Sequence, residues 1–357
     1  MKRLDYSPRF VRQIHQAIKV CELDLTGLTV LTEAASGAFV TTPLIAAAAG
    51  ASVLAFTRDS GYGEASEVAE YTTRWAAEMG VERNITVLTE APVNHAHKAD
   101  LVTNLGFVRP ISARLIQSLP PHAVIALMWE PWEFRASDID AAACAAAGIP
   151  IIGTRETDSR LNTFRHVGIL ALKLLLEKGV EVSGSRIVLV GSDPFEPATF
   201  EILSVLGASV TRAVLPKNGG DLDALYGAAI DEADALVLVE HWDNREIVGD
   251  HGGIHPKRLV KRGVVLIHVC GTIDYVALRS AGLGKWPERQ ASFGTMTVTT
   301  DYVGPRPVID LHCAGLRVAE SAVRMRLAGK SISEAIAAAE ATGLGLRFDF
   351  ERHMRET

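Results

Sequence analysis

The chain has 357 residues, of which 48% are hydrophobic and 22% are charged, and its net charge is −6. This length favours two domains, the composition is typical of a globular protein, and the acidity argues against a nucleic-acid surface. No apolar run has the length of a membrane span, and the polar N-terminal stretch MKRLDYSPRFVRQIHQ is not expected to act as a signal peptide. The four cysteines form no CxxC pair, so neither a zinc site nor a disulfide framework is predicted, and a cytoplasmic location is expected.

Short apolar strands alternate with helical stretches almost throughout the chain, which is typical of parallel sheets with helices on both faces. The first series of predicted strands covers residues 28–32, 52–57, 85–88, 101–103, 124–128 and 150–153. The second series covers residues 186–190, 209–214, 235–239 and 264–269. Helices are predicted at residues 42–49, 162–178, 200–206, 307–329 and 331–341.

These elements predict an α/β protein with two Rossmann-like, doubly wound parallel-sheet domains, an interdomain cleft and C-terminal helices that pack across. A substrate domain is expected at residues 1–175, joined by the helices of 307–357, and a nucleotide-binding domain at 180–305. The carboxyl ends of the strands in both domains should face the cleft, where such sheets bind ligands. A homodimer is expected, because this architecture often dimerises through helices beside the nucleotide domain.

The order of these pieces resembles two related enzyme families. The stretch VSGSRIVLVG and residues 233–278, which include Asp274, Ala277 and Leu278, are similar to the nucleotide domain of D-2-hydroxyacid dehydrogenases. In the first domain, LTVLTEAASGAFVTTPLIAAAAGASVLAFTRDSGYGEASEV resembles the first strand–helix–strand unit of S-adenosylhomocysteine hydrolase. ADLVTNLGF and ALMWEPWEF lie where that family has strands ending in catalytic carboxylates. The resemblance implies a nucleoside cofactor and a small-molecule substrate.

Several positions depart from both families. The dehydrogenases hold the substrate carboxylate with an arginine before a small-residue turn, where this chain has HVCG, and the segment of their acid/base histidine reads VTTDYVGP, which offers Asp301. The lysine and aspartate of the hydrolase fall in ETDSRLNTFRHVG, where Glu156 is the candidate catalytic residue. Asn104 falls near a family aspartate, and Glu130 near a family glutamate. Neither parent chemistry therefore carries over whole.

The stretch RIVLVGSDPFEPATFEILSVLGASV, residues 186–210, has the layout of a dinucleotide-binding unit without its glycine fingerprint. Where Gly-x-Gly-x-x-Gly is expected, the chain has Gly191, Asp193 and Glu196. Carboxylates near a pyrophosphate at a helix N-terminus should repel it unless they point away. Three interpretations remain open: the acids cap the helix, a dinucleotide binds nonetheless, or the ligand is a nucleoside without phosphate, such as S-adenosylmethionine. Arg212 and Lys217 would suit a 2′-phosphate.

The predicted cofactor is NAD(P), with S-adenosylmethionine as the alternative. His241, directly after a strand, is a catalytic candidate, whereas Gly252 and Gly253 separate His251 from His255 and oppose a shared metal-binding helix. The stretch FGTMTVTTDY is similar to a GTMT stretch in the pyridinol methyltransferase of iron-guanylylpyridinol cofactor biosynthesis, or it is a threonine-rich β-segment. The candidate cofactor-binding residues are Gly191, Ser192, Asp193, Pro194, Phe195, Glu240, Cys270, Gly271, Thr272 and Thr295.

In the first domain, polar residues follow the predicted strands and are candidates for substrate binding: Glu33, Ser36, Thr57, Arg58 and Asn104. Arg58 could bind a carboxylate or pair with Asp59. WEPWEF places Glu130 and Glu133 beside tryptophans, where desolvation would raise a carboxyl pKa and suit a general acid, unless the tryptophans line a rim and the glutamates are solvated.

The predicted function is a divergent NAD(P)-dependent oxidoreductase or hydrolase-like enzyme acting on a small molecule. The alternatives are an S-adenosylmethionine-dependent methyltransferase and a non-catalytic ligand-binding or dimerisation protein.

Overall fold

The computed structural model describes residues 8–215, 222–251 and 253–350. The chain divides into two compact units. The first runs to Asn162 and resumes at Pro305, and the second is Thr163–Gly304. Each unit contains a parallel β-sheet with helices, so the predicted α/β fold with two Rossmann-like sheets is confirmed.

All the predicted strands are present, with ends that differ by one or two residues. The strands, in chain order, are β1 Thr29–Glu33, β2 Ser52–Phe56, β3 Ile85–Leu88, β4 Leu101–Thr103, β5 Val124–Ala126, β6 Ile151–Thr154, β7 Arg186–Gly191, β8 Ser209–Ala213, β9 Ala235–Val239, β10 Glu246–Val248, β11 Val265–Cys270, β12 Thr272–Ile273, β13 Lys285–Trp286 and β14 Gly345–Arg347.

The predicted helices are also present, together with others that the apolar pattern did not indicate. The α-helices are α1 Pro8–Cys21, α2 Thr41–Ala48, α3 Ala65–Glu78, α4 Ala113–Gln117, α5 Ala141–Ala147, α6 Thr163–Glu177, α7 Phe195–Val205, α8 Leu222–Glu232, α9 Pro256–Arg262, α10 Tyr275–Ala281, α11 Arg306–Leu327 and α12 Ile332–Ala341. Within the described ranges, none of these helices has the combination of length and apolar character that a membrane crossing requires.

The strand order of each sheet creates one point of reversal. The first sheet has the order β14-β6-β5-β4-β1-β2-β3, in which every pair is parallel except β14 with β6. The second has the parallel order β13-β11-β9-β7-β8, and β10 pairs with β12 separately. In the first sheet, β2 and β3 lie on one side of β1 and β4 to β6 lie on the other, so β1 and β4 are neighbours. In the second sheet, β8 lies on one side of β7 and β9 lies on the other, so β7 and β9 are neighbours. Ligands bind outside the carboxyl ends of such neighbours in open α/β sheets.

Helix α11 supplies much of the core of the first unit. It packs on α1 and α2 and on β4, β5 and β6, and most of its side chains are buried, including Cys313, Leu316 and Val323. Strand β5 is buried on both faces, which explains its uninterrupted apolar sequence. A segment from the end of the chain thus completes a core that the beginning of the chain starts.

The predicted domain boundary differs from the observed one at helix α6. The sequence predicts residues 163–175 in the first domain, but the structure places them in the second unit. The physical reason is the close approach of α6 to α7. A Cβ atom on Gly168 would lie 2.6 Å from the carbonyl oxygen of Ala198, so glycine permits this contact.

Candidate functional site

Glu33 and Asn104, both predicted to bind substrate, lie at the carboxyl ends of the neighbouring strands β1 and β4, at the reversal point of the first sheet. The hydroxyl oxygens of Thr32 and Thr103, near the carboxyl ends of β1 and β4, are 2.8 Å apart. Because side chains alternate along a strand, the next residues, Glu33 and Asn104, share the opposite face. The structure therefore brings this carboxyl and this carboxamide to the same edge.

Asn104 contributes a hydrogen-bond donor that the described residues leave unused. The side chain is 1% exposed, and its Oδ1 accepts the backbone N–H of Met128 at 2.9 Å. No acceptor within the described part of the chain lies within reach of Nδ2. A buried N–H without a partner is unfavourable, and the oxygen of a bound ligand would satisfy it.

Glu33 is a buried carboxyl at the end of β1. Its Oε2 accepts the backbone N–H of Phe107 at 3.1 Å. Burial raises the pKa of Glu33 to about 7, while that hydrogen bond and the positive charge of Arg109 act in the opposite direction. Near neutral pH the carboxyl therefore exists in both protonation states, which suits a group that exchanges protons.

Replacing Glu33 with glutamine is expected to raise the free energy of unfolding at pH 8 by about 2–3 kcal/mol and to change it little at pH 4. The wild-type pKa rises from an ordinary 4.5 to about 7 on folding, so wild-type stability falls as pH rises through that window. Glutamine can still accept the N–H of Phe107. Urea unfolding between pH 4 and 8 measures the change, with Glu78→Gln, at an exposed position of α3, as the control. An equal change at both pH values would contradict the assignment.

The remaining predicted substrate-binding residues lie near the same edge. Thr57 follows β2 and is fully buried, and its hydroxyl has no hydrogen-bond partner within the described ranges. Ser36 is half-buried. Arg58 is exposed and donates weakly to the carbonyl of Arg109 at 3.4 Å. Asp59 instead accepts a backbone N–H at the start of α3, that of Ala65, at 2.8 Å.

Arg109 is a site residue that the sequence did not reveal. Its Nη1 donates to Asp138 at 2.5 Å, and its guanidinium carbon lies 5.3 Å from the centre of the Trp129 ring. Because its charge also favours the ionised form of Glu33, Arg109 connects the Glu33–Asn104 edge with the segment after β5. Nothing in the local sequence distinguishes it from a surface arginine.

Three carboxyl groups form what we call the glutamate cluster: Glu130, Glu133 and Glu156. Glu130 is held in place by two donors. Its Oε1 accepts the backbone N–H of Glu156 at 3.0 Å, and its Oε2 accepts the indole N–H of Trp132 at 2.9 Å. Glu130, predicted to be catalytic, therefore holds the segment after β6 through Oε1 and its own segment after β5 through Oε2.

Glu133 and Glu156 are close enough for each to shift the pKa of the other, and a hydrogen bond from a protonated Glu156 would lower the pKa of Glu133 and raise that of Glu156. Glu156 is 6% exposed. Burial raises the pKa of Glu156 well above its ordinary value, and the negative charges of Glu133 and Glu130 raise it further. Burial also raises the pKa of Glu133. The raised pKa favours the protonated form of Glu156, which is the form that a general acid requires.

In the second unit, the carboxyl ends of β7 and β9 are joined by hydrogen bonds. The Ser192 hydroxyl donates to Glu240 Oε1 at 2.8 Å, and the indole N–H of Trp242 donates to the carbonyl of Asp193 at 2.6 Å. Gly271, at φ +114°, lies against Glu240, where a Cβ would be 3.3 Å from the Glu240 carbonyl oxygen. Residues from three predicted strand ends are thus in contact.

An aromatic group covers the start of α7. The rings of Phe195 and His241 stack with centroids 4.2 Å apart, and the rings of His241 and Trp242 are 4.8 Å apart. Burial lowers the pKa of His241 and favours the neutral imidazole. Pro194 precedes the helix, and the side chain of Asp193 is exposed. The rings of Phe195, His241 and Trp242 therefore lie beside the loop after β7, where a dinucleotide-binding protein has its glycines.

The two carboxylates of the loop behave differently from each other. Glu196 is buried and forms a bidentate ion pair with Arg212 on β8, with distances of 2.6 and 2.5 Å. Its charge is therefore compensated and directed away from the loop. Pro194, the residue directly before α7, makes no side-chain cap, and Glu196 lies in the first turn of the helix. Arg212 is engaged, and Lys217 lies outside the described residues.

Gly191 retains one of the steric roles of the glycine fingerprint. A Cβ atom at this position would lie 2.6 Å from Val239 Cγ2 and 3.1 Å from the Val239 carbonyl oxygen. Only glycine allows β7 to end this close to β9. The tight strand–helix turn of a dinucleotide-binding unit is therefore present, although the later glycines are replaced.

The other predicted cofactor residues lie at or after the end of β11. Cys270 is buried, and burial raises the pKa of its thiol, which argues against a nucleophile. Thr272 donates to Asn244 at 3.1 Å. Thr295 donates to the carbonyl of Ser292 within an irregular loop, so the predicted β-segment at residues 293–302 is wrong. The neighbouring Thr297 instead donates to backbone carbonyls of β11.

The residues of the second unit fit the nucleoside part of a dinucleotide better than its pyrophosphate. Glu240 Oε1 accepts from the Ser192 hydroxyl and from the backbone N–H groups of Trp242 and Asp243, so Oε2 is the oxygen that would accept from a ribose hydroxyl. Asp193 places an exposed negative charge where the second glycine would let phosphates approach, and the described end of β8 carries no acid for the ribose. Because Arg212 compensates the charge of Glu196, Asp193 is the carboxylate that would repel a pyrophosphate.

Over the described ranges, no three His, Cys, Asp or Glu side chains are arranged to hold a metal ion. His255 instead accepts the backbone N–H of Lys257 through Nδ1 at 3.2 Å and begins α9.

Comparison with known proteins identifies the fold. No family model matches the chain, and no curated protein matches it. The dipicolinate synthase from Bacillus subtilis has a TM-score of 0.50 at 12% identity, covering 86% of this chain and 98% of the compared one. The chain resembles that protein in fold. The predicted two-domain Rossmann layout is confirmed, and at this identity the likeness concerns the fold alone.

Two further solved structures are similar at lower scores. The dipicolinate synthase from Bacillus halodurans has a TM-score of 0.49 at 11% identity, covering 85% of this chain and 99% of the compared one. A putative D-3-phosphoglycerate dehydrogenase oxidoreductase from Ralstonia solanacearum has a TM-score of 0.46 at 12% identity, covering 88% and 98%.

Proposed function

We propose that this chain is a small-molecule enzyme in which Glu156 transfers a proton. The observation that carries the proposal is the clustering of three carboxyl groups, in which Glu130 accepts the backbone N–H of the buried Glu156 and the charges of Glu133 and Glu130 raise the pKa of Glu156. Three neighbouring carboxyls in a partly buried site are unfavourable for stability. Strongly raised pKa values in such a place are typical of functional groups.

Substrate contacts are proposed for the Glu33–Asn104 edge of the same unit. Asn104 Nδ2 is a buried donor that suits a ligand oxygen, and Glu33 can exchange a proton near neutral pH. The exposed Arg58 provides a positive charge close by. Together these groups favour a substrate with oxygen functions.

A nucleoside cofactor is proposed for the second unit, with NAD(P) favoured because the fold is one on which dinucleotides are commonly bound. A nicotinamide would supply hydride transfer, so the enzyme would be an oxidoreductase. Gly191, Ser192 and Glu240 are the residues proposed to hold the nucleoside. The similar structures give no support to S-adenosylmethionine, but Asp193 would attract its cationic groups, so binding of both ligands should be measured.

Calorimetry with NAD, NADP, S-adenosylmethionine and S-adenosylhomocysteine tests the cofactor. We expect at least one nicotinamide dinucleotide to bind, and a panel of hydroxy and oxo compounds with that cofactor then tests turnover. If none of the four ligands binds, the chain is better explained as a non-catalytic binding or dimerisation protein than as an enzyme. A homodimer is also proposed, and light scattering at two concentrations tests it.

Replacing Asp193 with glycine is expected to tighten NAD binding by about tenfold, because it removes a negative charge and a Cβ from the position of the phosphates. If the loop binds the cationic S-adenosylmethionine instead, the same change should weaken binding by a similar factor. Asp193→Asn separates charge from size, and Asp250→Gly, at another exposed aspartate of this unit, is the control. Unchanged affinity for both ligands would show that the loop does not contact a cofactor.

A further inference from the structure

A cleft of about 670 Å³ lies in the second unit beside the start of β11. We call it the β11–β13 cleft and define it by Val265, Tyr275, Arg279, Lys285 and Trp286, with Lys178 at its border. Its volume is within the range of small-molecule sites, roughly 300–1,000 Å³. Aliphatic side chains of α9, α10 and β11 form much of the remaining lining.

The β11–β13 cleft is positively charged in a chain whose net charge is −6. Lys178, Arg279 and Lys285 line it, against a single acid, Glu288. The negative charge of Glu288 acts on Lys285, so the lining carries three cations against one acid. This excess of positive charge around a largely apolar cavity attracts an anion with an apolar body.

The wall of the cleft is fixed by hydrogen bonds. Lys285 Nζ donates to the carbonyls of Pro287 and Arg289 at 2.6 and 2.7 Å, which leaves its third N–H for a ligand. The hydroxyl of Tyr275 donates to the carbonyl of Ala291 at 3.0 Å and accepts its N–H at 2.8 Å. The loop after β13 is therefore tied at both ends, which preorganises the cavity.

Aromatic rings stand beside the positive charges. The ammonium of Lys285 lies 5.3 Å from the centre of the Tyr275 ring, and that of Lys178 lies 5.5 Å from the Trp286 ring. Burial lowers the pKa of Lys285 to about 8, and the negative charge of Glu288 acts in the opposite direction. A flat or aliphatic body could pack on these rings while its anionic group meets the ammonium groups.

The β11–β13 cleft is separate from the proposed cofactor site. Its lining includes the first residues of β11, whereas Cys270 and Gly271 lie at the other end of that strand. At about 3.3 Å per residue, the two ends are about 16 Å apart. A ligand in the cleft would therefore be a second ligand of the same unit.

We propose that the β11–β13 cleft binds a small amphipathic organic anion through Lys178, Arg279 and Lys285, with its apolar body against Tyr275 and Trp286. This site is independent of the proposed enzymatic function, because it shares no residue with the strand ends that carry that function.

Calorimetry with 2-naphthoate tests the proposal. We expect 2-naphthoate to bind at least tenfold more tightly than the neutral 2-naphthalenemethanol, and acetate, which lacks the apolar body, to show no binding. Affinity should fall as salt is raised. A parallel titration with 2-naphthyl phosphate shows whether a carboxylate or a phosphate is preferred. Equal affinity for the charged and neutral naphthalenes, or no binding of either anion, would overturn the proposal.

Variants locate the binding. Arg279→Gln and Lys178→Gln are each expected to weaken 2-naphthoate binding about three- to tenfold, because each removes one partly exposed charge. Lys257→Gln, on the same unit but outside the cleft, is the control and should leave the affinity unchanged. Both positions are at the surface, and thermal unfolding will confirm that the variants are folded. Unchanged affinity in both variants would show that the anion binds elsewhere and would refute the site.

Discussion

Replacing Glu156 with glutamine is expected to lower kcat/KM by about 10²–10⁴, the range that a general acid contributes. The amide of glutamine can donate a hydrogen bond to Glu133 in the same direction as the protonated carboxyl, so the fold should be retained. It cannot deliver a proton. Steady-state kinetics with the substrate identified by the turnover panel, together with thermal unfolding, measures both effects.

Two neighbouring variants separate proton transfer from positioning. The Glu130 carboxylate accepts the N–H of Glu156 and the indole N–H of Trp132, and Glu130→Gln keeps an acceptor oxygen for one of these two contacts. This variant should therefore lower kcat/KM by about tenfold or less. Glu133→Gln removes a negative charge that raises the pKa of Glu156, so the fall in activity at high pH should begin at a lower pH. If Glu156→Gln retains wild-type activity, Glu156 is not the acid, whatever the other two variants show.

Replacing Arg212 with alanine is expected to lower the free energy of unfolding by about 3 kcal/mol. Glu196 is buried, and Arg212 is its ion-pair partner, so the variant leaves a buried carboxylate uncompensated. The double variant Arg212→Ala/Glu196→Gln should recover much of this loss, because no buried charge remains. Urea unfolding of the single and double variants measures the coupling.

A matched ion pair in the same unit supplies the control. Arg165 and Glu201 are 2.7 Å apart and both are largely exposed, so Arg165→Ala should change the free energy of unfolding by about 0.5 kcal/mol or less. An equal effect of the two arginine variants would mean that Glu196 is solvated and free to face the loop. The repulsion of a pyrophosphate would then come from two carboxylates rather than from Asp193 alone.

Apolar runs determined which parts of the fold could be predicted. Strands such as β5 and β9 are buried on both faces, so they appear in the sequence as uninterrupted apolar segments. Strands β12 and β13 have two residues each, which is too short for any period to show. Helix α1 has buried residues at Phe10, Ile14 and Cys21 with helical spacing, but its polar face interrupts the apolar pattern from which the other helices were predicted.

Site residues that directly follow a strand could be predicted from the sequence. Side-chain pairs between different helices and strands could not. Glu33 and Asn104 could be placed together because both follow parallel strands. The pairing of Glu196 with Arg212 could not, because it depends on how far a side chain in α7 reaches toward β8. For the same reason the sequence could not distinguish Glu133 from Glu130 as the partner of Glu156.

Helix α11 has a consequence for the order of folding. The second unit, Thr163–Gly304, is continuous in the chain, so all of it has been synthesised before α11 begins at Arg306. Strands β1 to β6 are made earlier, but the helix that covers β4, β5 and β6 is not yet available to them. Domains fold as units during synthesis. The unit that leaves the ribosome first is therefore the one completed last, and it keeps apolar strand surface uncovered while the later unit is being made.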